Sequence, residues 1–210
     1  MKKYVLLLLT VAAAMFAIVQ WDFQKHRDPH DIANPDPNHT HTDFAVWIDG
    51  DRMDFSAPEL MSEKEDDDSA TADHAKHGHQ HHDYLHLHDG VGHVIHRHKP
   101  GLSIGEFFES IRISISGTCY ASFTPLADGE LCGSTPFRLF VNGSEMPFTM
   151  DYVFEDLDQI LITNAANDAE VARELSVMTD DACVYSERCP WRGEVPVENC
   201  IADPAIPCTE

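Results

Sequence analysis

Positive charge is scarce in this chain. Fourteen Lys and Arg stand against 36 Asp and Glu over 210 residues, a formal net charge of −22 at pH 7. That balance excludes the basic footprint with which proteins neutralise nucleic-acid phosphates. It also disfavours docking on anionic lipid beyond any membrane anchor. Common enzyme signatures are missing too: there is no H-E-x-x-H, no Walker A and no G-x-S-x-G. His86-Leu87-His88-Asp89 approaches the H-x-H-x-D-H of metallo-β-lactamase-like hydrolases, but the Asp comes one position early and no His follows it. The cupin pattern needs a Glu soon after H-x-H, and none lies between His88 and Glu106.

Cysteine is absent from the first half of the chain and then occurs six times, at Cys119, Cys132, Cys183, Cys189, Cys200 and Cys208. No C-x-x-C occurs, which excludes a thioredoxin-like redox motif and zinc-ribbon spacing. An even number of cysteines in an oxidising compartment reads as three disulfides, with free thiols as the alternative. Cys119 and Cys132 are expected to pair separately across a loop. The other four are expected to staple a proline-bearing tail that has little else to hold its shape.

The N-terminus supports an oxidising compartment. Met1-Lys2-Lys3 precedes an almost unbroken apolar run over 4–21. Its length is close to the lower limit of ~17–25 residues for spanning a bilayer, and the lysines keep the N-terminus inside. An uncleaved signal-anchor is the preferred reading. A signal peptide is the rival, although cleavage at Ala12-Ala13-Ala14 would leave a short apolar region. Either way the remainder is expected on the extracytoplasmic side, tethered to the membrane or secreted.

Along the chain, 22–38 is a polar linker carrying Pro29, Pro35 and Pro37. Phe44, Val46 and Ile48 alternate with Asp43, Ala45 and Trp47, a strand with one strongly apolar face. Asp49-Gly50-Asp51 signals a hairpin turn, with 52–55 as the returning strand. Residues 56–83 are acidic and then His-rich, and are expected to be a disordered insert. Ser103 to Glu106 fits a capping box, and Ile104, Phe107, Phe108 and Ile111 form the core-facing stripe of a short helix. Short strands are expected at 112–116, 120–123, 137–141 and 158–163, with Asn142-Gly143 as a second hairpin turn. A further helix is expected around 168–177, capped by Asn167 or Asp168.

The residues with chemistry in them are histidines. Ten of the 14 lie between His74 and His98, and three His-x-His units stand out: His39/His41, His86/His88 and His96/His98. On a strand, i and i+2 share a face, so two imidazoles so placed can meet one ion at ~2.0–2.1 Å. A neighbouring strand can supply the rest. Whether His86, His88, His96 and His98 share one face depends on the parity of the turn between the pairs. An odd turn, the preferred reading, puts all four together and leaves Leu85, Leu87 and Ile95 facing a core, with Arg97 at its rim. An even turn puts the pairs on opposite faces. His39 and His41 share the side of Asp43. Asp43 and Asp89 are candidate acceptors for ring N–H groups. His74, His77, His79, His81 and His82 read as solvated residues or a loose metal sponge. A pH-responsive polar face is the bland alternative for the ordered four. Met146 and Met150 fit packing better than copper ligation.

The order hairpin, helix, further strands resembles a β-grasp (ubiquitin-like) domain. The resemblance is carried by residues 44–55, 103–111, Leu139-Phe140-Val141-Asn142-Gly143 and Leu157-Asp158-Gln159-Ile160-Leu161-Ile162, which look like sulfur-carrier-type β-grasp domains. It covers about 90 residues. Carrier chemistry needs a C-terminal Gly-Gly, whereas this chain ends Pro207-Cys208-Thr209-Glu210, so that activity is not implied. The whole also has the general look of membrane-anchored bacterial proteins, which supplies no activity either.

The expectation is an α+β protein. Residues 1–21 are an anchor or signal peptide and 22–38 a linker. A β-grasp-like domain with one main helix spans 39–163, interrupted by the insert, and a disulfide-stapled extension spans 164–210. The function expected is binding of a divalent transition metal, zinc first and copper or nickel second, for sequestration, delivery or sensing. A module for an envelope protein partner, with incidental histidines, is the alternative, and a metal-dependent hydrolase is the third class.

Overall fold

The computed structural model describes residues 15, 28–36, 38–62, 82, 84–124 and 128–195. The apolar N-terminal run apart from Met15, most of the acidic/His tract, Cys200 and Cys208 lie outside the described residues. Among those described, no helix is long and apolar enough to cross a membrane.

The architecture is α+β. A mixed seven-stranded sheet carries the core, and a small antiparallel three-stranded sheet packs beside it. In chain order the strands are β1 (Thr40–Ile48), β2 (Asp51–Arg52), β3 (Leu85–His86), β4 (Val94–Arg97), β5 (Ile113–Ser116), β6 (Cys119–Phe123), β7 (Asp128–Cys132), β8 (Arg138–Val141), β9 (Ser144–Met146) and β10 (Gln159–Thr163). The helices are α1 (Ile104–Ser110), α2 (Asp168–Leu175) and α3 (Ala182–Tyr185). The large sheet runs β3-β4-β1-β10-β8-β9, with β2 paired to β1. β1 and β10 are parallel, Phe44 beside Ile160, and the other pairs are antiparallel. The small sheet is β5-β6-β7.

Alternation along β1 sets the two faces. Phe44, Val46 and Ile48 turn to the main core with Leu85, Leu87, Ile95, Ile160 and Ile162, where they meet the Ile104, Phe107, Phe108 and Ile111 stripe of α1. Phe44, Phe55, Phe107 and Phe108 pack with centroids 5.1–6.1 Å apart, mostly edge to face, the geometry that ring quadrupoles favour. Ser103 Oγ accepts from Glu106 N while a Glu106 carboxylate oxygen accepts from Ser103 N, so the capping box is complete. On the opposite face, Ala45, Phe140 and Leu161 are covered by Val171 of α2. The Asn167 side chain caps that helix on Ala169 N and Glu170 N. Met146 and Met150 pack against the main core, as expected of gap-filling thioethers.

Two expectations needed correction. The strand returning from Asp49-Gly50 is only Asp51–Arg52, and the long antiparallel partner of β1 is β4. After Met53, whose N still bonds to Val46 O at 2.9 Å, the chain leaves the sheet and Phe55 packs in the core. The stretch from 56 to 62 is also structured rather than part of a disordered insert. Leu60 and Met61 bury their side chains, and Ser62 N bonds to Leu87 O at 2.7 Å. Two buried apolar side chains and the bonds of Ser62 N and Oγ to Leu87 O hold this segment against the end of β3.

Two disulfides are present among the described residues. Cys119–Cys132 joins directly opposed residues of β6 and β7, and Cys183–Cys189 ties α3 to the short loop that follows it. The first is the separate pairing expected, and the second staples the extension.

Candidate metal centre

β4 is the middle strand of three, flanked by β3 and β1. His86 is the direct partner of His96 across β3–β4, and His41 is its partner across β1–β4. Opposed residues in antiparallel strands point to the same side. The interval from 86 to 96 is even, so the turn is odd. His86, His88, His96 and His98 therefore share a face, and His39 and His41 join it. Leu85, Leu87 and Ile95 line the opposite, core side. Arg97 goes with them, buried, its Nη1 donating to Phe154 O at 2.6 Å and its guanidinium 4.6 Å from the Phe154 ring.

Six imidazoles thus form one contiguous cluster. His96, fully buried, is central, and only His39 is not among the buried residues. Ring centroids lie 3.8 Å apart for His88–His96, 4.7 Å for His41–His96, 4.4 Å for His39–His41 and 4.0 Å for the stacked His39–His98 pair. His86 sits at the edge, 5.0 Å from His98 and 6.1 Å from His96.

Two nitrogen–nitrogen contacts define what the cluster can do. His39 Nε2 is 3.1 Å from His41 Nε2, and His88 Nε2 is 3.1 Å from His96 Nδ1. Two ligands of one tetrahedral ion at ~2.0–2.1 Å stand about 3.4 Å apart, so each contact is close to the bite of a single metal. His39, His41 and His96 go further, each offering a ring nitrogen such that all three lie within 4.8 Å of one another. The tightest gathering therefore takes two histidines from β1 and its approach and only one from the β3–β4 hairpin. Of the proposed acceptors, Asp89 is in place: His88 Nδ1 lies 2.9 Å from Asp89 Oδ2. A carboxylate there can accept the ring N–H while Nε2 faces His96, the outer-shell arrangement typical of metal-binding histidines.

Asp43 plays a different part. Its oxygens accept Asp181 N at 3.0 Å and Ala182 N at 2.8 Å, tying the start of α3 to β1. Burial pushes its carboxyl above the usual carboxylate range, against the pull of hydrogen bonds from Thr179, Ala182 and Asp181. His93 Nε2 meets Asp181 Oδ2 at 2.9 Å, and Arg192 holds the other Asp181 oxygen. Asp43, His93 and Asp181 also gather closely, but the backbone amides and Arg192 already occupy these carboxylates, as in a structural anchor.

Sequence reasoning missed the cover of the site. The Cys183–Cys189 loop lies across the histidine face, with Cys183, Cys189 and Ala182 packed on Val94 and Leu157. Tyr185 stands edge-on to His96 at 4.8 Å and approaches His41 and His88. Ser186 Oγ reaches His41 Nδ1 at 2.6 Å. Nothing in the spacing of Tyr185 or Ser186 signals this, since they meet the histidines only through tertiary folding. His82 lies beside Tyr84, outside the cluster, and His74, His77, His79 and His81 lie outside the described residues.

No family model, curated protein or solved structure matches this chain. The functional reading therefore rests on the buried histidine cluster itself.

Proposed function

We propose that this protein is a membrane-tethered, extracytoplasmic binder of a divalent transition metal. The ion would be held by His39, His41 and His96, with His88 as the fourth ligand and His86 and His98 beside them. The observation that carries this is the gathering of three imidazole nitrogens within 4.8 Å in a largely buried setting. A neutral all-imidazole set suits zinc, copper or nickel rather than calcium or magnesium, which prefer oxygen. With His88, which touches His96, added as a fourth such ligand, the set would satisfy tetrahedral zinc, so zinc comes first.

Binding, rather than catalysis, fits the cover. Tyr185 and the stapled loop close over the histidines, whereas a catalytic zinc keeps a position open to substrate. A cavity of about 320 Å³ lies elsewhere, lined by Met53, Phe55, Leu60, Tyr120 and Leu131 among others, and no histidine borders it. The disulfides and the apolar run at 4–21 support an oxidising site outside the cytoplasm. The finer fold reading, β-grasp-like, is supported by the order β4-β1-β10-β8-β9, with parallel β1 and β10 at its centre and α1 between β4 and β8.

Isothermal titration of zinc, copper and nickel into the soluble chain tests the reading. One tight equivalent is expected, lost in the triple variant His39→Ala/His41→Ala/His96→Ala. Undiminished stoichiometric binding by that variant would overturn the assignment.

A further inference from the structure

The stapled loop does more than cover the histidines. Ser186 Oγ has one hydrogen, and Asp156 Oδ1 lies 2.5 Å away to accept it. The same oxygen accepts the His41 backbone N–H at 3.1 Å. Arg188 Nη1 donates to the other carboxylate oxygen at 2.9 Å, so the acceptor is itself fixed. With its hydrogen committed to Asp156, Ser186 Oγ can only accept from His41 Nδ1, 2.6 Å away. A neutral imidazole carries one N–H. The hydrogen of His41 therefore sits on Nδ1, and the nitrogen bearing the lone pair is Nε2, the one beside His39.

We propose that Ser186, oriented by Asp156, is a positioning residue that locks His41 in the Nδ1–H tautomer with Nε2 aimed into the cluster. This rests on the metal-binding reading above and adds how one ligand is prepared for it. The relay joins distant parts of the chain: His41 on β1, Asp156 just before β10, and Ser186 and Arg188 inside the Cys183–Cys189 loop. It matches what Asp89 does directly for His88. Two of the imidazoles in the cluster are thus set before any ion arrives, one by a carboxylate and one by a hydroxyl that a carboxylate holds.

The test compares wild type, Ser186→Ala and Ser186→Thr in the soluble chain, with the Cys183–Cys189 disulfide verified by mass spectrometry. Long-range proton–nitrogen NMR of metal-free protein reads the His41 tautomer. Wild type and Ser186→Thr should show Nδ1–H, and Ser186→Ala a mixture or the Nε2–H form. Zinc affinity should fall about 10- to 100-fold in Ser186→Ala, the usual effect of removing an outer-shell partner, and be restored in Ser186→Thr. An Nε2–H tautomer in wild type, or an unchanged tautomer in Ser186→Ala, would overturn the proposal. If the tautomer shifts as stated but wild type binds no zinc, the positioning role stands and the metal reading falls.

Discussion

Replacing His96 with Ala separates a built metal centre from a mere abundance of histidine. His96 contacts His88 at 3.1 Å and belongs to the close triad with His39 and His41, so its loss breaks both gatherings at once. His86 is the control: its nearest ring is 5.0 Å away, and it belongs to neither gathering. A ligand that binds only the folded state stabilises it by about 2.7 kcal/mol at 100 times its dissociation constant. For a domain of this size that raises Tm by about 8 °C, at about 3 °C per kcal/mol. Differential scanning fluorimetry with and without zinc reads the shift. Wild type and a chain lacking residues 63–81 should both gain about 8 °C, His86→Ala more than half of that, and His96→Ala almost nothing. Equal shifts in His86→Ala and His96→Ala, or a shift that vanishes when 63–81 is removed, would refute the geometric argument and leave only the tract as the binder.

Other outcomes follow from the fold. Phe107→Ala, in the fully buried stripe of α1, should cost about 3–5 kcal/mol in urea unfolding, chiefly through the cavity it leaves. Gly92→Ala should lower Tm and weaken zinc binding together, because a Cβ there would run into the Phe55–Ser56 backbone and push the β3–β4 turn off its seat. Burial raises the Glu174 carboxyl above the ordinary Glu range, against the opposing pull of Thr163. The folded state then binds that proton more tightly than the unfolded one, and stability is lost as pH rises from about 4.3 through the folded value. Glu174→Gln should therefore raise the urea midpoint at pH 7 and change it little near pH 4. An unchanged midpoint at pH 7 would speak against the effect.

Much of the site was legible because parity is a strict constraint. Leu85, Leu87 and Ile95 need a core, and only an odd turn delivers them to one while sending His86, His88, His96 and His98 the other way. The same alternation on β1 placed His39 and His41 opposite Phe44 and Val46. Local signals also served for Ser103 and Asn167, since caps are decided within a few residues. The neighbour of β1 was not legible. Asp49 and Gly50 adopt the left-handed conformations of a tight turn, yet the return strand ends at Arg52, with one more bond from Met53 N to Val46 O, and Phe55 turns into the core instead. Tyr185, Ser186 and Asp156 were out of reach for a different reason: each touches His41 or a neighbouring ring from over a hundred positions away or nearly so.

The parallel pairing of β1 with β10 bears on when the surroundings of the histidine cluster are completed. These strands are more than a hundred residues apart in sequence, Asp43 beside Gln159, and their union is a long-range closure that slows folding. The triad needs β1 against β4, and the Ser186–Asp156 relay needs the segments flanking β10 to have arrived. All three His-x-His pairs lie within residues 39–98 and can gather early on a nascent chain, but the Ser186–Asp156 support for His41 forms only once the last third has docked. A chain arrested before β10 would carry every histidine of the cluster yet lack the Ser186 support for His41.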